Sequence, residues 1–121
     1  MQFVEMLGDL VRAIEGARGA IFLDADGEAV QWYPADESDR LRLRAAYLAV
    51  VVRSFRTSIA RLELGGMSHL VIQYQKSQFV IEEIEEGGYF LVLELSSSAN
   101  LAQCASRLVP AVATFRREIG L

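Results

Sequence analysis

The stretch that most limits what this chain can fold into runs from residue 38 to about Leu62, because its periodicity draws two apolar stripes where one is usual. Ala35-Asp36-Glu37-Ser38-Asp39 supplies capping side chains and negative charge at the start of a helix of about 25 residues. At about 100° per residue, Leu41, Ala45, Leu48, Val52, Phe55 and Ile59 share one side, the natural set to lie on a sheet. Leu43, Tyr47, Val50, Ser54 and Thr57 step by four and three along the opposite side, with Ala46 beside them. A surface helix normally fills that second side with charges. Here the apolar or small character lasts until Arg61. Small residues such as Ala46 and Ser54 also let a second helix approach closely. Burying the stripe is worth several kcal/mol at about 25 cal/mol per Å². Another element must therefore cover it. The first or last helix folded over this side is one cover, but it would leave the other face of a sheet bare. The same helix from a second copy of the chain is the simpler one.

The rest of the chain reads as short, well-punctuated elements. Phe3, Met6, Leu7, Leu10, Val11 and Ile14 form a single helical stripe, which Gly16 and Gly19 end. Ala20 to Asp24 and Glu28 to Tyr33 read as two strands joined by a tight turn at Asp26-Gly27, with Pro34 as the stop. After the long helix, Gly65-Gly66 breaks the chain. Met67 to Gln75, Gln78 to Glu85 and Tyr89 to Leu95 then form a meander with turns near Lys76-Ser77 and Glu86-Gly87-Gly88. Ser96 to Asn100 is a capping cluster for a last helix reaching about Ile119, and Pro110 inside it predicts a kink or a division. The order is α-β-β-α-β-β-β-α. Hairpin connections imply one five-stranded antiparallel sheet with helices on its faces, a mixed α/β (α+β) fold.

Size and charge narrow the function classes. A length of 121 residues fits one domain, residues 1–121, and the 52% hydrophobic content exceeds what one core usually needs. Net charge is −4, which gives no electrostatic reason to approach a phosphate backbone or an anionic membrane. The nearest thing to a basic patch, Arg40, Arg42 and Arg44 followed by Arg53 and Arg56, is interleaved with acidic and apolar residues. The longest uncharged apolar run, Ala45 to Val52, is far short of a membrane span, and Glu5 and Asp9 interrupt any signal-peptide core. One cysteine, Cys104, excludes an internal disulfide and reads as a small buried side chain. The expected location is cytoplasmic.

A search for chemistry finds turns and strands. His69 is the only histidine and has no patterned ligand partners, so no metal is expected. Gly65-Gly66 and Gly87-Gly88 lack the Lys-Ser/Thr of a phosphate loop, and there is no Gly-x-Ser-x-Gly elbow. Asp24 with Asp26 flanks a turn where Asp is common anyway, and Glu82 with Glu85 lies on a strand and its turn. Trp32 and Tyr33 suit strand packing or a partner anchor. The expectation is a protein that is not an enzyme, has no cofactor and works by binding other proteins.

Three segments carry a resemblance to a known family: Gly19-Ala20-Ile21-Phe22-Leu23-Asp24-Ala25-Asp26-Gly27-Glu28, the long helix with the meander to Leu95, and Ser98-Ala99-Asn100-Leu101 opening the last helix. With them the chain resembles the roadblock/dynein light chain superfamily in its bacterial single-domain, gliding-motility regulator form, over nearly its whole length. Pro110 and the acidic cluster Glu82, Glu83, Glu85 and Glu86 depart from the pattern. The resemblance implies a sheet between the long helix and the two terminal helices. It also implies a homodimer in which long helices pack together and edge strands, Ser68 to Gln75 here, join into one sheet. The interface would then hold Leu43, Ala46, Tyr47, Val50, Ser54 and Thr57 with Leu70 and Ile72. By the same resemblance the partner is a small Ras-like GTPase, met on the paired-helix face, with Arg42, Arg53 and Arg56 at its border for acidic partner residues. A small-molecule sensor of PAS-like or GAF-like type, with a cavity on the sheet's inner face, and a structural subunit of a larger complex are the alternatives.

Overall fold

The elements follow the expected order. The computed structural model describes residues 3–84 and 88–120. Helix α1 (Phe3–Ala13) leads into the hairpin β1 (Ala17–Leu23) and β2 (Ala29–Tyr33). A 3-10 turn at Ala35–Glu37 opens the long helix α2 (Ser38–Ile59), and a second one at Ala60–Leu62 closes it. The meander is β3 (His69–Gln73), β4 (Ser77–Glu83) and β5 (Phe90–Ser96), and helix α3 (Leu101–Glu118) ends the chain. All pairings are antiparallel, in the order β2-β1-β5-β4-β3, which leaves β2 and β3 as edges.

Alternation along the central strands sorts side chains onto two cores. Ala20, Phe22, Val80, Leu91, Leu93 and Leu95 meet α1 and α3 through Leu7, Leu10, Leu108 and Phe115. Ile21, Leu23, Phe79, Ile81 and Val92 meet α2 through Leu41, Ala45, Leu48, Ala49 and Val52. Both inner faces are lined by these apolar side chains, where a ligand-enclosing sensor would need convergent polar groups.

Local chemistry explains the joints. Gly16 (φ +87°) turns the chain out of α1, and a Cβ there would press within 2.9 Å of the Ser96 hydroxyl. Gly19, read from sequence as part of the helix stop, lies inside β1, and a Cβ on it would come within 2.8 Å of Leu41. Its role is to let α2 approach the sheet. At the hairpin turn the Asp24 carboxylate accepts hydrogen bonds from the amides of Asp26 (2.9 Å) and Glu28 (3.0 Å). The Asn100 side chain caps α3 by accepting from the Gln103 amide at 3.0 Å. α3 is not divided at Pro110. It continues from Leu101 to Glu118 with that exposed proline inside it. Glu85, Glu86 and Gly87, part of the acidic hairpin read from sequence, lie outside the described residues.

Candidate interaction surface

Helix α2 holds the stretch of sequence that is apolar on two sides, and the structure shows what each side does. Leu41, Ala45, Leu48 and Val52 are buried against the sheet as expected. Phe55 is not, with 44% of its surface exposed. At about 100° per residue the inward line of Ala45, Ala49 and Val52 passes on to Arg56 and leaves Phe55 on its flank. Arg56 reaches down to the buried Glu83 carboxylate at 2.8 Å, and its guanidinium sits 5.5 Å from the Phe90 ring centre.

The outward side is bare. Leu43 is 61% exposed, Tyr47 69% and Val50 50%; Ala46, Ser54 and Thr57 are exposed between and beyond them. Val51 joins Phe55 on the flank, so the apolar surface is wider than the sequence stripe. The hydroxyls of Thr57 and Ser58 donate back to the carbonyls of Arg53 (3.0 Å) and Ser54 (2.9 Å), which satisfies their polar atoms within the helix. Leu70 and Ile72 sit half-buried on the α2 side of β3, the open edge, and pack onto the α2 core cluster. An apolar surface thus continues from the back of α2 to an unpaired strand edge.

The three border arginines prove unequal. Arg42 stacks over the Trp32 ring at 5.1 Å, and Arg53 donates to the Asp26 carbonyl at 3.2 Å, so both lie exposed against the β1–β2 hairpin. Arg56 is half-buried in its pair with Glu83. Arg40 and Arg44, counted in the sequence as a patch, clasp the buried Glu94 of β5, with Arg44 at 2.9 Å, and Arg40 also holds Glu37 at 2.7 Å. Sequence reasoning misses the roles of Glu83 and Glu94. For Glu94 the signal is a single carboxylate set among apolar residues of an interior strand, a position that demands a cation across the layer; Glu83 is hidden beside Glu82 in an acidic run.

Two of the remaining titratable groups are shifted by burial. His69 Nδ1 stands 3.7 Å from Glu82, whose carboxyl is pushed above its usual range by burial, with His69 and Arg116 opposing. Burial, with Glu82 nearby, pushes the Cys104 thiol up to about 11. No group of three or more metal-ligating side chains occurs among the described residues, and no helix there is long and apolar enough to cross a membrane.

Comparison with known proteins places this geometry. A Roadblock/LC7 domain from Streptomyces avermitilis superposes with a TM-score of 0.88 at 16% identity, covering 100% of both chains. The gliding protein MglB from Thermus thermophilus gives 0.80 at 22% identity, over 94% of this chain and 85% of its own. MglC from Myxococcus xanthus is 28% identical with a TM-score of 0.68, over 98% of this chain and 99% of that one. No curated protein sequence matches. The family model of the Roadblock/LC7 domain matches residues 3–94, and the chain belongs to that family.

Proposed function

We propose that this protein is a non-catalytic homodimeric adaptor that docks a small Ras-like GTPase on the surface formed by two α2 helices. The observation that carries the reading is the bare apolar back of α2, continuous with the open β3 edge. Exposed tyrosine, leucine and valine in one contiguous band are a poor solvent surface and a good interface core. Its self-complementary layout, one helix and one edge strand, suits a two-fold contact. Membership of the Roadblock/LC7 family and the likeness to MglB support the same direction. A regulator of this kind supplies no reacting group. It acts by favouring one conformation of the partner's switch loops. Arg42 and Arg53, exposed on the flank toward the β1–β2 hairpin, are placed to meet acidic residues of the GTPase.

The test is sedimentation of the full chain beside its Val50→Asp/Tyr47→Glu variant, with pull-down of a Ras-like GTPase encoded next to the gene. The wild type should sediment as a dimer that retains the GTPase, and the variant as a folded monomer that does not. A wild type that stays monomeric at micromolar concentration, or a variant that stays dimeric, removes α2 from the interface.

A further inference from the structure

A cavity of about 320 Å³ opens beside the outer face of α2, where Leu48 and Phe79 form the floor, Tyr47 and Tyr74 the walls, and Arg44 and Lys76 the rim. The tyrosines are 69% and 60% exposed, and Tyr74 meets Phe79 edge-on at 6.2 Å between ring centres. Arg18 adds a third cation here, donating to the Lys76 carbonyl and the Ser77 hydroxyl, both at 2.8 Å. In a chain of net charge −4 this is an unusual meeting of apolar depth and positive rim. Such a site fits an apolar side chain carried next to a carboxylate.

The chain itself displays that pattern at the other end of α2. Leu62 and Leu64 are 62% and 73% exposed, with the acidic Glu63 between them. Glu63 holds a left-handed backbone (φ +53°) as the C-cap, its amide bonded to the Ala60 carbonyl, and Gly65 (φ +83°) follows. A non-glycine residue in that region is uncommon. We propose that this Leu62-Glu63-Leu64 segment of a second copy seats in the Tyr47/Tyr74 cavity, its leucines on the apolar floor and its glutamate against Lys76. The inference rests on the homodimer reading above and adds the contact that closes it. A two-fold pairing of β3 edges sets the Tyr74 end of one strand opposite the start of the other. That relation leads the partner's residues 62–64, which come just before its β3, toward the cavity, twice per dimer.

Sedimentation equilibrium of the full chain tests this with Leu64→Ser, Lys76→Glu and Lys76→Glu/Glu63→Lys. All three positions are exposed, so the variants should keep the wild-type circular dichroism. Losing one leucine contact should weaken association about tenfold per site and, with two sites, about a hundredfold per dimer. Lys76→Glu should also dissociate the dimer, and adding Glu63→Lys should restore it. If the wild type is a dimer and both single variants associate equally well, the seat is wrong while the dimer stands. Weakening by Lys76→Glu that Glu63→Lys does not restore also overturns the pairing. A monomeric wild type sinks the dimer reading, and this contact with it.

Discussion

The two sides of the sheet are covered on different terms. On one side, α1 and α3 share the work, and their core includes a stack of Phe3, Phe22, Phe115 and Tyr89 with ring centres 5.0 to 5.9 Å apart. Neither helix needs a second apolar face. Their outward residues include Arg12, Arg107, Arg116 and Arg117, with Val109 an isolated exception. On the other side a single helix lies against the sheet, and its back carries the same kind of residue as its front. One layer is closed by folding, whereas the α2 layer keeps an exposed apolar back.

The comparison breaks most visibly if the closed side is not the stability reservoir. Phe115 is fully buried and touches two other rings of the stack. Phe115→Ala should cost about 3–5 kcal/mol in denaturant unfolding, enough to unfold much of the population. A loss under about 1 kcal/mol would mean that the aromatic stack is loose. Next in size is the polar clasp beneath α2. Glu94→Gln removes the charge that Arg40 and Arg44 share, and should cost about 2 kcal/mol, since both arginines keep partial access to water. The loss should be nearly independent of salt, because the carboxylate is buried.

A substitution on the bare side should behave in the opposite way. Leu43→Ser, at a position 61% exposed, should change unfolding of dilute protein by no more than about 0.5 kcal/mol. It should at the same time reduce the rise in melting temperature that accompanies higher protein concentration. An effect on dilute stability as large as that of Glu94→Gln would show that this face is already covered within one chain.

How much of this is legible in the sequence depends on the range of the interaction. The order of elements, the Asp-Gly turn and the Asn100 cap are local chemistry, and all are where the pattern places them. So are the two apolar sides of α2, which follow from spacing alone. Spacing leaves Phe55 and Arg56 on either side of the inward line, and the residue that settles which one goes in is Glu83, 27 positions beyond Arg56. The supposed basic patch dissolves for the same reason, since Arg40 and Arg44 are claimed by Glu94, far along the chain. Gly19 reads as a stop when its real constraint is a leucine from another element. Periodicity reports which residues face together; it does not report which charge waits opposite.

The smallest effect sits where the closed layer ends. Glu82 lies on the α3 side of β4, opposite His69 on the edge strand and within the field of Arg116. Its folded carboxyl titrates above the ordinary value, with burial the main cause, so the folded state resists its ionisation. The sign follows from linkage. An acid raised on folding favours the native state while it is protonated. That advantage is surrendered as pH climbs from the unfolded value through the folded one. Glu82→Gln cannot ionise, so it should match the wild type near pH ~4 and become the more stable of the two toward pH ~7. The gain should be smaller than the loss in Glu94→Gln, because His69 and Arg116 already offset part of the burial. Urea titrations of both proteins at the two pH values measure the difference. A variant less stable than wild type at the higher pH would mean that the ionised carboxylate, held by His69 and Arg116, fastens the edge strand to α3. The rim of the closed layer would then depend on charge rather than on packing.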